Sequence, residues 1–352
     1  MKLLPILALS SSIFSICVNA LQLMARENPA VIRIGIERAN YSPVDRRRDP
    51  LALPLANWEV DDTELSSTYR YLNSLFYISY FDQTSSGGDY GTDVFHIAGA
   101  DLANQQIGVG IDTNKSRGLL GIGFSQDEAA DTKYPNVPQS LVDHGYIHTN
   151  AYSVWLNDLQ ASTGEILFGG INRGKFSGEL QLYDMSDAGI MIGKLMVNLT
   201  GIGITSGTSG EQTNIPFPTG FGIPALMDTG TTLVYLGDAL FNPIATYFNA
   251  QYDSELEAYS VSCAFAQDST TVDFFFPSLT ISVPMSEIVD TVNEGATGCR
   301  FGLHLAGKGK PLILGDVFLR SAYVVYDLKN LQIGLAQSSF GSTVDDIVEI
   351  VD

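Results

Sequence analysis

The sequence predicts an all-β protein, and three observations carry that expectation. Short runs rich in Ile, Val, Tyr and Phe recur at 76–80, 152–156, 166–168, 279–283 and 322–326, separated by clusters of Gly, Ser, Asn and Asp. Helical periodicity is sparse: Leu240, Ile244, Tyr247 and Phe248 make one apolar face after Asp238, and a shorter helix is expected over 139–144. The 352 residues are 45% hydrophobic and only 16% charged, which suits a sizeable core in one large or two ordinary domains and excludes a mostly disordered chain. The stretch 184–198 reads as a crossing between two halves, and 206–214 as a polar loop in the second.

The chain carries 39 acidic against 19 basic residues, a formal charge of −20. That field repels phosphate backbones and anionic lipid, so nucleic acid is excluded as a partner and neutral or cationic ligands are expected. Lys2, the apolar run 3–17 and the small-residue end Val18-Asn19-Ala20 read as a signal peptide over 1–20. No later run reaches the ~18 apolar residues of a membrane span. Asp345, Asp346, Glu349 and Asp352 make 341–352 an acidic tail rather than a lipid-anchor signal. The expected destination is outside the cell, with wall association or an acidic secretory compartment left open.

Residues 21–48 hold six Arg and end in Arg46-Arg47-Arg48, so a propeptide removed at a basic processing site is expected, and with it a zymogen. Cys17 leaves with the signal. The remaining Cys263 and Cys299 are an even pair in an oxidising compartment, which implies one disulfide. Asn114-Lys-Ser and Asn198-Leu-Thr are candidate glycosylation sites, while Asn40-Tyr-Ser would leave with the propeptide.

Most catalytic signatures are missing: there is no G-x-S-x-G, H-E-x-x-H, P-loop or Rossmann fingerprint. His144 and His148 are four apart, but with Gly145 between them a surface turn is expected rather than a metal site. Neither metal nor cofactor is expected. What remains is Ala225-Leu226-Met227-Asp228-Thr229-Gly230-Thr231-Thr232-Leu233-Val234-Tyr235. An acidic residue between two apolar strands must be compensated. Gly230 lets backbone N–H groups turn toward the carboxylate, and Thr231 can donate a hydroxyl hydrogen bond to it.

With that motif the chain resembles the pepsin-like aspartic proteases, in type the secreted fungal candidapepsins and yapsins, from about Glu64 to Ala336. The ordered matches are Ser66-Ser67-Thr68-Tyr69, Tyr80 of a flap hairpin, Gly91-Thr92-Asp93, Gly118-Leu-Leu-Gly-Ile-Gly-Phe124, Asn157-Asp158-Leu159, Ile166-Leu-Phe-Gly-Gly-Ile171, Ile313-Leu314-Gly315-Asp316 and 323–327. The resemblance implies a bilobal all-β fold whose lobes each give one Asp to a dyad, with Leu119-Leu120-Gly121 and Ile313-Leu314-Gly315 as the strands supporting the two Asp loops. It also implies Asp228 as the second catalytic Asp, Thr229 in a threonine grip between lobes, and Cys263–Cys299 as the second-lobe disulfide. Peptide or protein substrates in the cleft and a monomeric chain are the corresponding partner expectations.

Acid–base hydrolysis by this route needs two carboxylates, one ionised to deprotonate water and one protonated to donate to the scissile carbonyl. The family's first Asp-Thr-Gly and its sheet belong between the propeptide and Ser66, where 49–66 is too short for them at ~5–6 residues per strand. Asp61-Asp62-Thr63 lacks the Gly and the apolar flanks. The expected organisation is therefore a signal peptide, a propeptide, an N-terminal lobe over 49–185 that lacks the first catalytic Asp, a C-terminal lobe over 186–340 and the acidic tail. Tyr80 is followed by Phe81-Asp82-Gln83, where the family has Gly at the first and third positions. Three functions stay open: an endopeptidase whose sequence here omits a segment, a pseudoprotease that binds peptides through its cleft, and a structural cell-wall glycoprotein.

Overall fold

The computed structural model describes residues 22–24, 30–37, 66–80, 84–113, 118–161, 163–185, 195–217, 222–294 and 298–351. The signal segment, Arg46-Arg47-Arg48, Asp61-Asp62-Thr63, Phe81-Asp82-Gln83, Asn40 and Asn114 lie outside these residues. The first half contains β1 (Gln22–Met24), β2 (Ile32–Glu37), β3 (Arg70–Ser79), β4 (Ser85–Ile97), β5 (Ala100–Thr113), α1 (Val137–Asp143), β6 (Ala151–Trp155), β7 (Thr163–Phe168), β8 (Gly170–Asn172) and β9 (Phe176–Asp184). The second contains β10 (Met196–Leu199), β11 (Gly201–Thr205), β12 (Gln212–Asn214), β13 (Ile223–Met227), β14 (Val234–Leu236), α2 (Asp238–Tyr247), β15 (Gln251–Asp253), β16 (Ala258–Val261), β17 (Thr271–Phe276) and β18 (Leu279–Pro284). It continues through α3 (Met285–Ile288), β19 (Val289–Glu294), β20 (Cys299–Phe301), β21 (Leu303–Leu305), β22 (Leu312–Leu314), α4 (Asp316–Leu319), β23 (Ala322–Asp327), β24 (Gln332–Ser338) and β25 (Ile347–Val351).

A six-stranded sheet in the order β2-β7-β6-β23-β24-β9 joins the halves, with β6 and β23 antiparallel at its centre. All six residues of β23 are buried, which explains why it reads as the unbroken run Ala-Tyr-Val-Val-Tyr rather than as an alternation. The second half packs the five-stranded sheet β10-β13-β22-β14-β21 against β12-β11-β17-β18, and one apolar core including Met227, Val272, Phe274 and Phe318 runs between them. The first half has the three-stranded sheet β3-β4-β5, whose β3–β4 hairpin closes at Tyr80, with its N–H bonded to Thr84 O at 2.8 Å. On this sheet Tyr71, Leu75, Tyr77 and Ile111 are exposed.

A buried ion pair ties the halves together. Glu287 on α3 accepts Nε of Arg320 at 2.5 Å, and its two carboxylate oxygens also accept the Leu159 N–H at 3.0 and 2.9 Å. Breaking such a pair by removing one partner strands a charge in low dielectric, so it holds the β6–β7 loop against the second half.

Two segments differ from their reading in the sequence. Residues 347–351 are not part of an acidic tail: β25 pairs with β8 and β1, because Val348 and Ile350 alternate into a small core with Trp155, Ile171 and Tyr323. Glu349 between them is buried and pairs with His148. Within 21–48, β1 and β2 are built into two sheets, and Arg33 on β2 meets buried Glu165 at 2.5 Å and Asp345 at 2.8 Å.

Cys263 and Cys299 are disulfide-bonded, with Cα atoms 5.0 Å apart and 36 residues of separation. Replacing both by Ser is expected to lower the stability of the second half by about 3–4 kcal/mol, read from the midpoint of denaturant unfolding.

Candidate active site

Asp228 follows directly on β13, and only 8% of it is exposed. Gly230 N–H donates to its Oδ1 at 2.9 Å and the Thr231 hydroxyl to its Oδ2 at 2.6 Å. Both bonds offset the cost of burying the carboxyl group. A Cβ at Gly230 would lie 3.2 Å from Asp228 Oδ1, so any larger residue would push the carboxylate by a few tenths of an ångström.

The loop is held from behind by β22, which runs parallel to β13 and antiparallel to β14. Asp228 N–H donates to Leu314 O at 3.2 Å, and the N–H groups of Asp316 and Val317 donate to Thr231 O and Thr232 O at 2.8 and 3.0 Å. A Cβ on Gly315 would stand 2.2 Å from Thr231 O and 2.5 Å from Leu233 O, so glycine is obligatory there. Beneath the loop Tyr152 of β6 and Tyr326 of β23 stack with centroids 4.9 Å apart, and Tyr326 Oη donates to Met227 O at 3.4 Å. Burial raises the ionisation of both phenols well above the usual tyrosine range, helped at Tyr152 by the Asp228 charge and at Tyr326 by Tyr152 and then Asp228. They therefore stay neutral beneath the acid. The sequence reading placed Tyr152 and Tyr326 in strands and missed that they form this floor, since nothing in one strand shows which ring will face it from another.

In the first half, residues 119–121 lie in no strand, Leu119 is 54% exposed, and among the described residues a Cβ on Gly121 would meet nothing within 4 Å. Thr229 is half-buried beside Asp228, and Asn198 is exposed on β10. His144 and His148 do not converge: His144 Nδ1 donates to Ser140 O at 2.8 Å and His148 faces Glu349. Among the described residues no cluster of three His, Cys, Asp or Glu could hold a metal ion.

A second carboxyl lies apart from this loop. Glu128 accepts the Tyr134 hydroxyl, and the Tyr90 ring packs edge-on to Tyr134 at 6.1 Å. Burial pushes Glu128 up from 4.5 to about 7, against the Tyr134 bond and Lys133, with Asp127 adding to the rise.

A bilobal β fold with an Asp-Thr-Gly loop backed by a hydrophobic-hydrophobic-Gly strand defines the class of pepsin-like aspartic proteases. Residues 57–338 match the eukaryotic aspartyl protease family, and the chain belongs to it. It is 39% identical to the probable aspartic-type endopeptidase opsB of Aspergillus fumigatus, over 82% of this chain and 61% of that protein. It is 36% identical to aspartic proteinase 3 of Saccharomyces cerevisiae over 81% of this chain and 52% of that one. Secreted aspartic protease 8 of Candida albicans is 37% identical over 78% and 62% of the two chains. This chain thus spans less than two thirds of the length of these relatives. The aspartic proteinase from Irpex lacteus superposes with a TM-score of 0.62 at 21% identity, over 80% of this chain and 84% of that one, which establishes the likeness in fold.

Two outcomes follow for these sites. Gly315→Ala is expected to cost about 2–3 kcal/mol by forcing the Asp228 loop off its support, whereas Gly121→Ala in this chain is expected to change stability by less than about 0.5 kcal/mol. Glu128 binds its proton more tightly folded than unfolded, so its contribution is fully present below pH 4.5 and is lost as the pH rises through about 7. Glu128→Gln should flatten that part of the stability profile, a difference of about 3 kcal/mol between the two ends, measured by chemical denaturation across the range.

Proposed function

We propose that this chain is the greater part of a secreted aspartic endopeptidase that hydrolyses peptide bonds at acidic pH, with Asp228 as the second of two catalytic carboxylates. The first belongs to an Asp-Thr-Gly sheet that this sequence lacks between Asp49 and Ser66. The observation that carries the reading is the contrast between the two glycines: Gly315 is pressed against the backbone of an Asp loop, and Gly121, in the same kind of motif, meets no described residue within 4 Å of a Cβ. A support strand whose loop is absent has no packing reason to keep its Leu-Leu-Gly. The exposed apolar side chains on β3 and β5 are what a missing layer of sheet would cover.

In the complete enzyme one carboxylate takes a proton from water and the other gives one to the scissile carbonyl, and their closeness makes them share a single proton at acidic pH. Here Gly230 and Thr231 hold Asp228 in place, the two tyrosines keep its floor neutral and dry, and Tyr80 at the end of the β3–β4 hairpin would close over the peptide. Processing after Arg48 would release 21–48 from the sheets that β1 and β2 enter. A second reading, a pseudoprotease that binds peptides without cleaving them, is favoured by Phe81-Asp82-Gln83, since losing glycine beside Tyr80 narrows the flap's conformational range.

The 352-residue chain is expected to show no acid proteolysis of a denatured protein substrate, before or after processing. Supplying the family's first Asp-Thr-Gly sheet after Asp49 should restore cleavage, which Asp228→Asn would abolish. Cleavage by the chain as it stands, lost in Asp228→Asn, contradicts the missing-segment reading. A restored chain that binds a peptide transition-state mimic but never cleaves supports the pseudoprotease instead.

A further inference from the structure

A cleft of about 560 Å³ opens on the flank of the second half, between the end of α2, β15 and the short turn at Cys263–Gln267. No residue of the Asp228 loop lines it. Its apolar part is aromatic: Tyr247 is 45% exposed, Phe248 is fully buried behind it with ring centroids 4.9 Å apart, and Phe265 stands edge-on to Phe248 at 5.2 Å. Its polar part consists of the amides of Asn249 and Gln251 and the hydroxyl of Ser262. Neither amide makes a hydrogen bond to another described residue, and Ser262 Oγ only accepts, from Ala264 N–H at 3.3 Å. Each therefore keeps donors and acceptors for a ligand.

What the lining omits is as informative as what it holds. In a chain with a formal charge of −20, none of the described residues that line this cleft carries a carboxylate, ammonium or guanidinium. The volume lies within the range of ordinary ligand sites, and the mixture of aromatic surface with a few uncommitted polar groups is their usual composition. The Cys263–Cys299 disulfide at one wall holds the cleft in shape, so little ordering free energy is lost on binding. A ligand that fits must offer apolar C–H surface to a ring and several neutral hydroxyls to amides at the same time. A pyranose ring does both.

We propose that this cleft binds a neutral oligosaccharide, one sugar ring packing on Tyr247 while Asn249, Gln251 and Ser262 bond its hydroxyls. The site is independent of the Asp228 loop and would hold the protein on a glycan, leaving the proteolytic reading unaffected in either outcome. Tyr252 is also exposed, but it alternates to the opposite face of β15 from Gln251 and lies outside the cleft, which makes it an internal control.

The test titrates the full chain with the tetrasaccharides of β-1,3-linked glucose, mannose and β-1,4-linked N-acetylglucosamine, followed by calorimetry and by NMR shifts of the Tyr247 and Gln251 signals. At least one should bind with a Kd at or below about 1 mM, with the same affinity at low and high salt because no charge is involved. Tyr247→Ala should weaken it by about tenfold, Gln251→Ala by several-fold, and Tyr247→Phe and Tyr252→Ala should leave it unchanged. Should Tyr247→Ala lose the native circular dichroism, Gln251→Ala on the exposed edge strand decides the question. Absence of binding by all three sugars at millimolar concentration overturns the proposal. So does binding that Tyr252→Ala abolishes, or a cleft that takes a neutral hexapeptide and no sugar.

Discussion

The packing of Gly315 against the carbonyls of Thr231 and Leu233 is the contact on which the candidate site depends. At 2.2 and 2.5 Å from a hypothetical Cβ, those oxygens leave room for hydrogen alone. That closeness lets β22 run beside both β13 and β14 and lets the N–H groups of Asp316 and Val317 hold the loop from outside. The loop's shape is thus fixed by backbone on one side and by Gly230 and Thr231 on the other. A carboxylate that would be costly to bury is held by donors that need no rearrangement to serve it. Around it the described part of the second half holds three sheets, a disulfide, and the Glu287–Arg320 pair that anchors the β6–β7 loop.

In the first half the β3–β4 hairpin is formed and α1 packs against β5, while Leu119 and the side chains of Tyr71, Leu75 and Tyr77 are exposed. Hydrophobic burial is the main favourable term in folding, so the proposed missing layer of sheet would have these apolar side chains to cover. The acid-side stability conferred by Glu128 belongs to this half, and at low pH the many other carboxylates are also partly neutralised and repel one another less.

Much of this was legible in the sequence because the signals were local. The strands around 152–156, 166–168, 279–283 and 322–326, the helix from Asp238 and the Cys263–Cys299 bond each follow from a short pattern of residues. The Asp228 loop was legible for the same reason: an acid, a glycine and hydroxyls between two apolar strands have few other uses. What escaped was non-local. The acidic composition of 341–352 outweighed the alternation of Val348 and Ile350, because the strands that bury them come from residues 22–24 and 170–172. The tyrosine floor joins β6 to β23 across more than 170 residues, and Glu287 reaches Leu159 from another lobe. Neither can be inferred without the register of the central sheet. The cleft beside the disulfide likewise unites three segments with no shared motif.

The central claim is that Leu119-Leu120-Gly121 is the seat of a second Asp loop, and reading the transcript across codons 45–70 tests it most directly. The account predicts an in-frame segment there encoding apolar strands around an Asp-Thr-Gly. A messenger that runs without interruption from Arg48 through Asp49 to Ser66, as the present sequence does, would contradict it.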